Sequence, residues 1–198
     1  MRLLGFISIG LLVLTGCRKD PNFSVVDTTP YTIEYPEIMA QYLPPINSPK
    51  DNPLTVEGVE LGRKLFYDEL LSINNNQSCA SCHLLDRGMS DTGAVSVGSE
   101  GMVGTRNAMP LFNLGWMDHF FWDGRANTLE EQALMPVRDP IEMHESWTNV
   151  VSKLQADDTY PLLFERVFGT QTIDSMMVVY VIAQFERTII SANAPFDK

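Results

Sequence analysis

Cys79-Ala80-Ser81-Cys82-His83 is the stretch from which the rest of this chain is read. Two cysteines three positions apart, followed at once by a histidine, have the spacing of a c-type haem attachment site. Each thiol reaches one vinyl group of the same porphyrin and closes a thioether, and the next residue brings an imidazole nitrogen beneath the ring to the iron. Two other uses of Cys-x-x-Cys compete. A thioredoxin-like redox pair belongs at the start of a helix that follows a strand, and a zinc site needs a second ligand pair. Neither context is visible, since no further cysteine lies downstream of Cys82. Cys79 and Cys82 are therefore read as thioether donors and His83 as the axial ligand of iron, with haem c as the covalent cofactor.

The N-terminus agrees from another direction. Arg2 precedes an apolar run from Leu3 to Leu14, which ends in Leu14-Thr15-Gly16-Cys17. A basic residue, a short apolar stretch and small residues before a cut describe an export signal, and the run is short for a membrane span. Leu-Thr-Gly-Cys is similar to a bacterial lipoprotein box, in which residues 1–16 are removed and Cys17 becomes an acylated N-terminus. An ordinary signal peptide with a chance cysteine is the alternative. Cys17 takes lipid and Cys79 and Cys82 take haem, which accounts for all three cysteines. Each buried acyl methylene adds about 0.8 kcal/mol, so multiple acylation holds a domain at a membrane surface. The expected location is the bacterial cell envelope or periplasm, lipid-anchored. A formal net charge of −11 argues against a nucleic-acid partner and suits docking of a basic redox protein.

Residues 17–53 hold Pro21, Pro30, Pro36, Pro44, Pro45 and Pro49. Proline fixes φ and removes amide donors, so an extended tether with little regular structure is expected, unless Tyr31, Tyr35 and Tyr42 pack it against the domain. The first helix is expected over Leu54–Leu70, with Thr55 as N-cap. From Leu84 to about Asn113 glycines abound and periodicity is lost, the mark of a functional loop that wraps one side of a porphyrin. Thr128-Leu129-Glu130-Glu131 opens a short helix that Pro136 should stop after Met135. Further helices are expected at Trp147–Gln155, Pro161–Phe168 with Gly169 as C-cap, and Ile173–Ile189 with Thr172 or Asp174 as N-cap. No alternating strand pattern appears. Residues 54–198 thus read as one all-α, cytochrome c-like haem domain with long irregular loops, preceded by the signal and tether.

Several further strings carry a resemblance: Leu61-Gly62-Arg63-Lys64-Leu65-Phe66-Tyr67-Asp68, Thr105-Arg106-Asn107, Phe121-Trp122-Asp123-Gly124-Arg125-Ala126, Pro140-Ile141-Glu142-Met143 and Phe185-Glu186-Arg187-Thr188. Together with the haem motif, and in this order, they resemble the N-terminal haem domain of bacterial di-haem cytochrome c peroxidases, a family that also includes the methylamine-utilisation protein MauG. The resemblance implies that this haem meets hydrogen peroxide. It also implies that a second, C-terminal haem domain collects electrons from a small cytochrome c or copper protein. No second Cys-x-x-Cys-His is present, so the chain is expected to be the N-terminal part of a longer enzyme; a single-haem relative is the alternative.

Position by position, the resemblance makes Glu142 the distal-pocket carboxylate, Gln132 the nearby glutamine and Trp122 the electron relay between haems. Asn107 matches a residue near an inter-domain calcium site, which adds calcium to the implied cofactors. Glu142 would move a proton from the inner to the outer oxygen of bound peroxide, a contribution of about 10²- to 10⁴-fold. Family members that need reductive activation carry a distal histidine seven residues before the Arg-Asn pair, where this chain has Ser99. An iron left open when oxidised is the expectation; only His119 and His144 remain as other histidine ligands. Two further functions stay open. A membrane-tethered mono-haem electron-transfer cytochrome would need a second ligand such as Met89, Met102, Met109, Met117, Met135 or Met143. A MauG-like oxidase would use peroxide to modify a protein.

Overall fold

A computed structural model describes residues 26–46, 48–192 and 195. The signal segment 1–16 and Cys17 lie outside the described residues. Among the described residues the structure is helical, with no β-strand and only isolated bridges. In chain order the helices are α1 (Glu37–Tyr42), α2 (Val56–Phe66), α3 (Cys79–Cys82), α4 (Leu129–Arg138), α5 (Trp147–Ala156), α6 (Tyr160–Phe168) and α7 (Ser175–Arg187). None is long and apolar enough to cross a membrane.

Helix α7 is the axis of the fold. Asp174 caps it by accepting from the Met177 N–H at 2.9 Å, and its Val178, Val179, Val181 and Ile182 are buried. Helix α2 starts where Thr55 accepts from the Gly58 N–H at 3.1 Å and lies directly on α7. A Cβ on Gly62 would overlap the Val181 carbonyl oxygen, so only glycine permits this crossing. Leu61 and Leu65 of α2 join Val150 and Leu154 of α5, Tyr160 and Phe164 of α6 and the valines of α7 in one core. Each such side chain contributes about 1.5–3 kcal/mol by burial. A second core gathers Phe66, Leu111, Leu114, Phe120, Leu129 and Phe185, with Cys79 and Ala80 packed against it. The haem motif is thereby seated on the α2–α7 layer.

A buried polar lock ties the elements together. Arg187 of α7 pairs with Glu130 of α4 through two contacts, at 2.8 Å and 3.0 Å. Asn52 donates to Glu130 at 2.6 Å and accepts from Gln184 at 2.9 Å. Gln184 in turn accepts from the Thr55 N–H at 3.1 Å. Such groups are tolerated inside a core because each has a partner.

Three helix expectations need adjustment. Helix α2 ends at Phe66 and is followed by a separate 3₁₀ turn, Glu69–Leu71, since Asp68 caps the new turn by accepting from the Leu70 N–H. Helix α7 spans Ser175–Arg187 rather than 173–189. Pro136 does not stop α4 but lies inside it. Only two residues follow Pro136 in the helix. Their neighbourhood is satisfied from beyond it, where Met143 and Glu145 donate backbone N–H groups to the carbonyls of Pro136 and Val137. The missing amide and ring clash of a proline are therefore confined to one position near the helix end.

Part of the proline-rich segment lies on the domain. It contains α1, and its backbone pairs with the entry to α2, Tyr31 N–H to Leu54 O at 3.0 Å and Val56 N–H to Thr29 O at 2.8 Å. Tyr35 meets Trp116 edge-on at 5.4 Å, and the Trp116 indole donates to Pro44 O at 2.7 Å. Tyr42 instead is 80% exposed.

Candidate functional site

Local chemistry builds the haem motif before any tertiary contact is counted. The run Asn74-Asn75-Asn76 breaks the preceding helical pattern, and the Ser72 hydroxyl accepts from the Asn76 and Gln77 N–H groups at 3.1 Å each. Ser78 and Ser81 then cap a single turn, α3, reciprocally. That turn puts both cysteines on one side, and His83 closes it by donating its N–H to Cys79 O at 3.0 Å.

The imidazole is fixed by the next loop. Met89 follows Gly88 into the left-handed region (φ 59°) and its N–H bonds Leu84 O at 2.8 Å. This turn brings Met89 O to 3.0 Å from His83 Nδ1. A proton on Nδ1 leaves Nε2 as the free lone pair, the arrangement of a metal-binding histidine. Burial pushes the imidazole's pKa down, against the pull of the Met89 and Met109 carbonyls, which favours the neutral, ligating form. Burial also pushes the Cys79 and Cys82 thiols up, the opposite of what an activated redox cysteine needs.

These three side chains face a cavity of about 360 Å³. Its walls bring together Cys79, Cys82, His83, Gln132, Glu142 and Trp122. Gln77 Oε1 and Glu186 Oε2 are buried on the same wall without a protein partner. Paired sulfurs and a pre-oriented imidazole around one space fit a covalently held porphyrin.

Glu142 is half-buried. Burial and the neighbouring Asp139 push its carboxyl's pKa up, while Arg125 pulls it down. The glycine-rich loop docks on its backbone: Ser99 N–H donates to Glu142 O at 2.8 Å, and a Cβ on Gly98 would overlap Ile141 O. Ser99 itself turns away from the cavity, its hydroxyl donating to Asn76 Oδ1. Gln132 is buried on α4 and lines the same space. His119 and His144 are not among the cavity's lining residues; His144 Nδ1 pairs with Glu100 instead. Of the six methionines considered, Met109 and Met143 reach the lining.

Trp122 sits at the mouth and is 59% exposed. Its turn is closed by paired Phe120 and Ala126, with the Arg125 guanidinium 3.5 Å from the centre of the Phe121 ring. Arg106 and Arg125 flank Asp123 at 2.8 and 2.9 Å and hold its carboxyl down at about 2. The Trp122 indole donates to Asn107 O at 2.8 Å. The Asn107 amide spans Ser90 and Gly93, bracing the loop, and the described residues hold no cluster of three or more His, Cys, Asp or Glu suited to a metal.

Glu186 had no role assigned from sequence. The signal was there: it lies four and seven residues after Ile182 and Val179, which puts an acid on the buried stripe of α7.

The family model described as di-haem cytochrome c peroxidase matches residues 56–198. This chain belongs to the di-haem cytochrome c peroxidase family. It is 38% identical over 153 residues to the methylamine utilization protein MauG of Methylophilus methylotrophus, covering 77% of this chain and 46% of that one. It is 39% identical over 151 residues to the cytochrome c peroxidase Ccp of Escherichia coli, covering 76% and 32%. A crystal structure of a MauG-like protein associated with microbial copper homeostasis superposes with a TM-score of 0.74 at 37% identity, covering 79% of this chain and 47% of that one. The chain spans less than half the length of these relatives. Family membership makes haem the cofactor.

Proposed function

We propose that this chain is the peroxide-reducing haem domain of a cytochrome c peroxidase. The observation that carries the reading is that Glu142 and Gln132 line the same cavity as His83, with no second histidine on its walls among the described residues. Cys79 and Cys82 would hold the porphyrin covalently, and His83 would ligate its iron. The bound haem supplies the iron at which peroxide is polarised and through which electrons reach it. Glu142 accepts a proton from the inner oxygen and returns it to the outer one, so that water leaves. Its semi-buried setting favours this exchange, because burial raises the carboxyl's pKa and makes it a better proton acceptor. Gln132 orients the peroxide by hydrogen bonding. Two electrons and two protons convert each peroxide into two waters.

Trp122, at the exposed mouth, relays electrons from a second haem domain, which draws them from a small cytochrome c or copper protein. The half-length match to full relatives supports such a companion domain. A calcium ion beside Asn107 would take its remaining oxygen ligands from that domain. Removal of residues 1–16 and acylation of Cys17 place the protein in the cell envelope, lipid-anchored, with residues 17–53 as the connecting segment. The acidic surface disfavours nucleic acid.

Two observations support other readings. Met109 and Met143 on the cavity wall suit an electron-transfer cytochrome with a saturated iron, and relatives named MauG suit an oxidase acting on a protein. Stopped-flow mixing of the ferric, haem-loaded chain with stoichiometric peroxide separates the first from the peroxidase. Rapid change of the Soret band is expected. A spectrum inert to both peroxide and cyanide would overturn the peroxidase reading in favour of the carrier.

A further inference from the structure

Glu186 is unused in the chemistry above, yet few residues of the site are so confined. Its relative exposure is 4%. One carboxyl oxygen, Oε2, has no partner, and the side chain lines the haem cavity. It shares that cavity with Cys79, whose thiol its charge helps to push up.

We propose that Glu186 is a potential-setting residue of the haem site: a buried, unpaired carboxyl on the wall of the haem cavity, whose negative charge opposes reduction of the iron and which takes up a proton when the iron is reduced. This rests on the haem reading above. The step balances. A one-electron donor reduces iron(III) to iron(II), the Glu186 carboxylate binds one proton from solvent, and the net charge of the site is unchanged. In a low-dielectric interior that neutrality matters, because an uncompensated charge there is costly.

The surroundings leave Glu186 free to respond, as one of two cavity acids that burial raises, the other being Glu142. Arg187, its neighbour on α7, is engaged by Glu130 of α4 in the buried pair. The ionisable residues of α2 point elsewhere: Glu60, Arg63 and Lys64 are exposed, and Glu57 bonds Thr29. Lys153 of α5 pairs with Glu145, and Cys79 of α3 is closed off as a thioether. Burial raises the Glu186 pKa to about 8, with Arg187 opposing and Glu130 adding to the rise, so its proton exchange falls within an accessible pH range.

The test is the midpoint potential of the haem-loaded full chain and its Glu186→Gln variant, by spectroelectrochemistry from pH 6 to 10. Covalent haem content by intact mass comes first, because a chain without haem refutes the underlying haem reading rather than this proposal. The wild type is expected to match the variant at low pH, where both side chains are neutral. Its potential should then fall below the variant's as pH rises, while the variant stays flatter. Coincident profiles across the range would overturn the proposal. Should Glu186→Gln fail to load haem, proton uptake on reducing the Glu142→Gln protein near pH 8, in which the other raised cavity acid is removed, decides when read with an indicator dye. Uptake with a redox-linked carboxylic-acid infrared band supports the proposal, and absence of either overturns it.

Discussion

Arg187→Met removes the cation from the buried lock while keeping an apolar stem of similar length, and it leaves Glu130 charged and enclosed. Both partners are almost fully buried, and they meet through two contacts at 2.8 and 3.0 Å. After substitution only Asn52, at 2.6 Å, still serves the carboxylate. Removing one partner of a buried pair typically destabilises by about 3–5 kcal/mol. With a urea slope of about 2 kcal/mol per molar, the unfolding midpoint should fall by roughly 1.5–2.5 M. The double variant Glu130→Leu/Arg187→Met leaves no orphaned charge and should recover most of that loss. The pH dependence has a definite sign. Burial alone would raise the Glu130 carboxyl, but the Arg187 guanidinium and Asn52 outweigh it and hold the group below its ordinary value. The pair therefore stabilises the fold above the ordinary carboxylate range and loses that contribution as pH falls through the lowered value. The gap between wild type and Arg187→Met should close in acid. Urea titrations monitored by circular dichroism at pH 7 and pH 4 decide. A single variant within about 1 kcal/mol of wild type at pH 7, or a gap that does not shrink at pH 4, would refute the reasoning.

Three further outcomes follow from the site. Glu142→Gln should slow the reaction of ferric haem with peroxide by about 10²- to 10⁴-fold without altering the resting spectrum. In the wild type that rate should decline as pH falls through the raised Glu142 value, a limb absent from the variant. Gly98→Ala places a Cβ against Ile141 O, and should destabilise by about 1–3 kcal/mol as in other overpacked sites, with a changed Soret band as the distal loop lifts. Trp122→Phe at the exposed mouth should leave the peroxide step intact while slowing re-reduction by an added cytochrome donor, measured by double-mixing stopped flow.

Local signals carried much of the fold. Thr55, Thr128 and Asp174 cap helices as their side chains suggest, and Gly169 ends α6 in the left-handed region. The haem pentapeptide and the residues matched to Gln132, Glu142 and Trp122 converge on one cavity. What local pattern missed depended on distant partners. Pro136 fits within α4 because amides from Met143 and Glu145 reach back to it. Packing of the segment by Tyr35 was the alternative its tyrosines offered, but that Trp116, about seventy residues away, receives it was not legible. Asn52, Glu130, Gln184 and Arg187 look like ordinary polar residues until two helices and the loop before α2 bring them together. Glu186 shows the converse: its place on an apolar stripe was legible, but which space it faced was not.

The account turns on an iron with one strong protein ligand, His83, and an open opposite face. Electron paramagnetic resonance of the ferric, haem-loaded chain measures this directly. A high-spin signal that converts to low-spin on adding cyanide is the predicted result. A low-spin ferric iron already holding two strong protein ligands would contradict it.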